Sequence, residues 1–409
     1  MLALIGLLAL FISTGATTLD DPLAAARAAT DREDWAQAAA QFLAYLNEHP
    51  EAPQAPEARF WNGFCRVKLG ENEEAVATLA PFNDRLADDK WADDALLQLG
   101  RAAHGLGKDD DAIAAWRRHL DKYPQSVWRT EVSLALIDVL FHHATDLPAC
   151  LDQCRRLTEE VPARGSTTEA RYLGAYCLNA LRKFDESEAW ADRLFDPESA
   201  LEEAWRRLLG AQRDLLRGRV DAALTAVDGL VADFPDIDQG GRQDLLLKAA
   251  YVLRFNGRAD RARELLRTEL VASAGRPEDE VDTLLEELDA AYGEDRRADY
   301  LGSLARLSAD PKAPMVVRVA ARDHHAQALA DGNQRDKAEV LLRAAIAAED
   351  AEFPRFRAAI KLADLLADDP KSIMEARAIL ERLRPGLKRR DLVHQLQQAL
   401  EHQRRPAGE

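Results

Sequence analysis

GENEEAVATL (residues 70–79) and GKDDDAIAAW (residues 107–116) decide how this chain folds. Each begins with glycine, continues through acids, and reaches an alanine five residues in, Ala75 or Ala112, with a large apolar side chain four further on, Leu79 or Trp116. The two alanines are 37 residues apart. The same phrase recurs outward in EDWAQAAAQF (Ala38, Phe42), GRVDAALTAV (Ala223) and GRADRARELL (Ala262). A proline follows twelve residues after Ala38, Ala112 and Ala223, at Pro50, Pro124 and Pro235. A fixed period in this range marks stacked helical hairpins, each burying its apolar seam against neighbouring copies.

Each position has a mechanical reason. Small residues sit where two helices cross, because a larger one would push the backbones apart. The glycine supplies a backbone conformation at the helix end that a side chain disfavours. Acids at the start of the next helix suit its positive end. The proline cannot continue a helix and so fixes its stop.

Composition agrees. The 409 residues are 47% hydrophobic and 31% charged, which suits a folded chain rather than a disordered one. No alternating Val/Ile/Thr run offers a strand. A net charge of −17 repels phosphate backbones and anionic headgroups, so neither nucleic acid nor a membrane surface is an expected partner. Arg382, Arg384, Lys388, Arg389 and Arg390 form a local basic exception, read as a solvated last helix.

The period and its residues resemble the tetratricopeptide repeat (TPR). The third unit fits best, with Gly100, Gly107, Ala112, Trp116 and Pro124. The second carries Gly63, Gly70, Ala75 and Leu79, and the first Ala26, Ala38, Phe42 and Pro50. Later units are looser: Cys150 and Cys154 closing at Pro162, Ala175 with Ser187, then Ala211, Gly218, Ala223 and Pro235, then Ala250, Gly257 and Ala262. Beyond about residue 275 the traces are Gly293 with Ala298, Ala326 with Ala338, and Asp364 with Ala376. The expected fold is all-α, a right-handed α-solenoid of about ten helix-turn-helix repeats, ending in a helix near Asp391–His402. The expected divisions are a secretory signal over 1–19, a first array over 20–238 and a more degenerate array over 242–409 with a capping helix.

The signal reading rests on the apolar run Leu2–Ile12, long enough for export and too short to span a bilayer, followed by small residues. It implies a periplasmic or secreted address, with an uncleaved anchor as the alternative. The unit length and this address are similar in style to the repeat domains of bacterial envelope proteins. Of the four cysteines, Cys150 and Cys154 share a helix face, and Cys177 lies on the next helix. They are read as thiols filling helix contacts, or as a disulfide of Cys177 with Cys150 or Cys154.

No chemistry emerges. GLGKDD (residues 105–110) lacks the earlier glycine and the hydroxyl of a phosphate loop. Neighbours such as His142 and His143 point about 100° apart on a helix and chelate one ion poorly. No metal, cofactor or catalytic group is expected. The resemblance implies instead a concave groove lined by the first helix of each hairpin. Carried onto this sequence, its ligand positions are Phe60, Phe64 and Lys68, then Arg101 and His104, then His142 and His143. Tyr172, Tyr176 and Asn179, and then Tyr251 and Arg254, complete the set. The rings have a second reading, as filling between hairpins. The expected function is a non-catalytic scaffold binding protein or peptide segments. The alternatives are an envelope polysaccharide-binding or -cleaving protein, needing a facing pair of carboxylates, and a self-assembling solenoid.

Overall fold

The glycine-acid phrases are helix boundaries. Gly70, Gly107, Gly218 and Gly257 all have positive φ, between 69° and 79°, and each ends one helix and precedes another. In the computed structural model, the described residues are 21–383, apart from 144, 162–163, 197, 273–274, 349–351 and 368–371. The expected signal, the final helix and the basic residues from Arg384 onward lie outside them.

The described residues form an all-α solenoid of ten helix pairs with no strand. The chain divides into two compact units, at Phe195/Asp196. The expected division at 238–242 falls inside the second unit, where Asp238 caps a helix by accepting from the Gly241 amide at 2.7 Å. No described helix is long and apolar enough to cross a membrane.

The first unit holds five hairpins. They are α1 (Ala24–Asp31) with α2 (Trp35–Glu48), α3 (Ala55–Leu69) with α4 (Asn72–Leu79), and α5 (Ala92–Gly105) with α6 (Asp109–Lys122). Then come α7 (Arg129–His142) with α8 (Leu147–Glu160), and α9 (Arg164–Ala180) with α10 (Phe184–Leu194). In three of these hairpins a glycine of the first helix meets the large residue sixteen positions later. A Cβ on Gly63 would overlap Leu79; on Gly100, Trp116; on Gly174, Trp190. The two indoles are anchored alike: Trp116 Nε1 donates to the Leu97 carbonyl at 3.2 Å, and Trp190 Nε1 to the Arg171 carbonyl at 2.8 Å.

The second unit repeats the plan. Its hairpins are α11 (Ala200–Leu216) with α12 (Val220–Asp228) and its short continuation α13 (Leu230–Asp233), and α14 (Gln239–Phe255) with α15 (Ala259–Ala272). The others are α16 (Glu278–Tyr292) with α17 (Arg297–Ala309), α18 (Met315–Asp331) with α19 (Arg335–Ala348), and α20 (Glu352–Ala367) with α21 (Ile373–Leu383). Alanines replace the glycines here. Ala211, Ala250 and Ala326 are buried, as are Val227, Leu266 and Leu342 sixteen residues after each.

The turn between paired helices keeps its geometry even where glycine is gone. Glu33, Thr145, Arg182 and Asn333 have φ between 49° and 59°, the left-handed region. Each stands five residues before a fully buried small side chain: Ala38, Cys150, Ser187 and Ala338. A side chain in that conformation costs roughly 1–2 kcal/mol, less for asparagine. Packing of the hairpin offsets it.

Candidate functional site

The notch at Gly63 sets the phase of α3. At about 100° per residue, Glu57, Trp61, Phe64 and Lys68 fall on one strip turned away from that notch. Trp61, Phe64 and Glu57 are partly exposed and Lys68 is exposed, while Phe60, nearer the notch, is buried. Trp61 and Phe64 meet edge to face at 5.5 Å between centroids. Trp35, which opens α2, meets Phe64 at 5.8 Å, and Trp91, just before α5, meets Trp61 at 5.9 Å. Beneath them Phe60 stacks on Trp91 at 4.9 Å. Two cations border the rings: Lys68 Nζ lies 5.5 Å from the Phe64 centroid and Lys90 Nζ 5.1 Å from that of Trp91. Glu57 is held by Arg27 at 2.7 Å. This is a partly open aromatic patch with a cationic edge, in a chain of strongly negative net charge.

The next two first helices carry charge at the same phase. Arg101 on α5 pairs with Glu131 on α7. Asp94 accepts from the Trp128 indole at 2.6 Å. His142 faces Asp138 at 3.7 Å, and His104 meets Asp109 at 2.7 Å. In the second unit, Asp244, Lys248, Tyr251 and Phe255 stand at the same offsets from Ala250 as the α3 strip does from Gly63. Tyr251 and Phe255 lie 4.2 Å apart, with the Arg254 guanidinium 4.5 Å from the Phe255 centroid. Arg254 bridges to Glu287 at 3.1 Å. Burial pushes the Glu287 carboxyl up, and Arg254 pulls it back.

Of the residues expected to line the groove, Phe64, Lys68, Arg101, His104, His142, Tyr251 and Arg254 reach solvent in part. Phe60, Tyr172, Tyr176 and Asn179 are buried. Tyr176 packs edge-on against Phe141 of α7 at 5.0 Å, and Tyr172 lies beside Tyr176 at 6.4 Å. These rings fill space between hairpins and present no surface. The sequence reading missed Trp35, Trp61, Trp91 and Phe255. Phasing each helix from its small residue, rather than pairing aromatics four apart, finds Trp61 and Phe255.

All four cysteines are buried free thiols. Cys150 sits between Cys154 and Cys177. Hydrogen bonds from both lower its thiol pKa, and burial raises that of Cys154. In the second unit, Arg357 ties Glu278 to Asp323, whose carboxyl is pushed up to about 6 by burial. That cluster is neutralised from within and offers little to a ligand.

Comparison with known proteins finds a tetratricopeptide repeat family model matching residues 94–126, which is most of α5, all of α6 and the four residues after it. No curated protein matches the sequence. Among solved structures, the chain is similar to one in the Naa15/Naa10 complex bound to HypK-THB, at 14% identity and TM-score 0.37. The similarity covers 92% of this chain and 60% of that one, so the chain spans less than two thirds of its length. It is also similar to a tetratricopeptide repeat protein from Parabacteroides merdae, at 12% identity and TM-score 0.35, over 83% of this chain and 97% of that one. The Cut9-Hcn1 structure gives 14% identity and TM-score 0.30, over 93% and 83%.

Proposed function

We propose that this TPR-like chain is a non-catalytic scaffold whose first unit binds a peptide or protein segment through the α3 strip. The observation that carries the reading is the cluster of Trp35, Trp61, Phe64 and Trp91, all partly exposed, with Lys68 and Lys90 at its edge. Half-open tryptophans beside cations are the material of binding hot spots. Their rings offer apolar area at low entropic cost, and the lysines select for acid. The preferred segment therefore has one or two large apolar side chains flanked by Asp or Glu. The strip favours binding over glycan cleavage, because the carboxylate it carries, Glu57, is occupied by Arg27. The proposed address is the bacterial envelope, supported by the apolar run Leu2–Ile12.

Selection from a displayed peptide library tests the reading. Wild type is expected to enrich acidic segments with aromatic or aliphatic anchors. Trp61→Ala with Phe64→Ala should lose them, while Tyr251→Ala should keep them. Equal enrichment on wild type and the double variant would remove the strip from the function.

A further inference from the structure

His104, Asp109 and His143 come from three helix ends and converge. His104 is in the last turn of α5, Asp109 opens α6, and His143 follows the last residue of α7, in the next hairpin. Asp109 receives both rings: Oδ1 lies 2.7 Å from Nδ1 of His104, and Oδ2 lies 3.6 Å from Nδ1 of His143. One donor atom from each residue can be chosen so that all lie within 4.8 Å of one another. The two imidazoles stand nearly perpendicular, at 87°, with centroids 4.7 Å apart. All three side chains are partly exposed, so an ion has a path in.

We infer that these three residues form a binding site for a divalent transition-metal ion, with zinc the best fit. Two imidazole nitrogens and a carboxylate suit zinc and its neighbours, and poorly suit calcium or magnesium, which take oxygen donors. A tetrahedral ion with bonds near 2.0–2.1 Å sets its donors about 3.3 Å apart. The separations of 2.7 and 3.6 Å, to the two oxygens of Asp109, lie on either side of that value, and with one donor from each residue inside 4.8 Å, side-chain shifts on the order of an ångström bring the set to ligating distance. The backbone field assists. Two of the three ligands sit at helix C-termini, the negative ends, and Asp109 already offsets the positive end of α6. Three protein ligands leave a coordination position for water or for an incoming histidine or carboxylate. The ion would tie α7 to the hairpin before it, across a junction also bridged by the Arg101–Glu131 pair and the Trp128–Asp94 hydrogen bond.

The test uses the full chain, free of any affinity tag and stripped with EDTA. Zinc chloride is titrated calorimetrically, and thermal unfolding is followed with and without the ion. Wild type is expected to take up one equivalent and to unfold at a higher temperature when loaded. His143→Ala, at an exposed position, should weaken binding by at least about tenfold and abolish the thermal shift. Because the three clustered thiols could also take zinc, Cys150→Ala, Cys154→Ala and Cys177→Ala are combined in a second variant. That variant should bind as wild type does. No uptake by wild type, or uptake lost with the cysteines and untouched by His143→Ala, would overturn the site.

Discussion

The α5/α6 and α9/α10 hairpins share an interior and differ almost everywhere else. In both, a glycine notch admits a tryptophan sixteen residues on, and the indole donates to the carbonyl three residues before the notch. Their turns differ: Gly107 in one, Arg182 held at a φ of 59° in the other. Their outer faces differ too. Arg101 and His104 reach solvent, whereas Tyr172 and Tyr176 are sealed against neighbouring rings. The interior lock keeps the hairpin, and the turn and outer face are free to change around it. The family model matches the α5/α6 hairpin, where turn and lock both fit, and its matched span does not include α9/α10.

The lock can be tested first because its effect is largest. Trp116→Ala and Trp190→Ala should each destabilise the first unit by about 3–5 kcal/mol, read as lowered urea midpoints. Unequal losses would show that the two hairpins do not depend on the lock alike. Gly100→Ala and Gly174→Ala should cost about 1–3 kcal/mol each, since the added methyl overlaps the indole. Red-shifted tryptophan emission would accompany the displacement.

The turn comes next. Arg182→Gly should raise stability by roughly 1 kcal/mol by relieving the left-handed strain, and Gly107→Ala should lower it by a similar amount. If Arg182→Gly is destabilising, the arginine side chain contributes more than its backbone costs. The smallest effect is expected on the outer face. Arg101→Ala breaks an exposed pair with Glu131 and should change stability by less than about 1 kcal/mol in chemical denaturation.

This contrast explains what the sequence could reveal. The period, the hairpins and their number were legible because small and large residues recur at fixed spacing, from Gly63 and Leu79 to Ala326 and Leu342. Three of the looser units hid because Thr145, Arg182 and Asn333 adopt the glycine conformation without being glycine. The candidate site was legible only in part. Phe64 and Lys68 lie on the exposed strip, but Phe60 and Trp61 are adjacent and one residue of phase separates a buried ring from a half-open one. Tyr172 and Tyr176 looked equivalent to the α3 pair, yet Phe141 on α7 covers Tyr176. The convergence of His104 with His143 was invisible to local spacing, because its partners lie on successive hairpins.

Sequential pairing of helices also bears on how each unit assembles. Each helix packs mainly on its neighbours in the chain, so no long loop must close before favourable contacts begin. Such low contact order favours folding on a microsecond-to-millisecond scale. Assembly can start at any hairpin and spread in either direction, so shortening a unit by its outermost hairpin should slow growth little while lowering the cooperativity of melting.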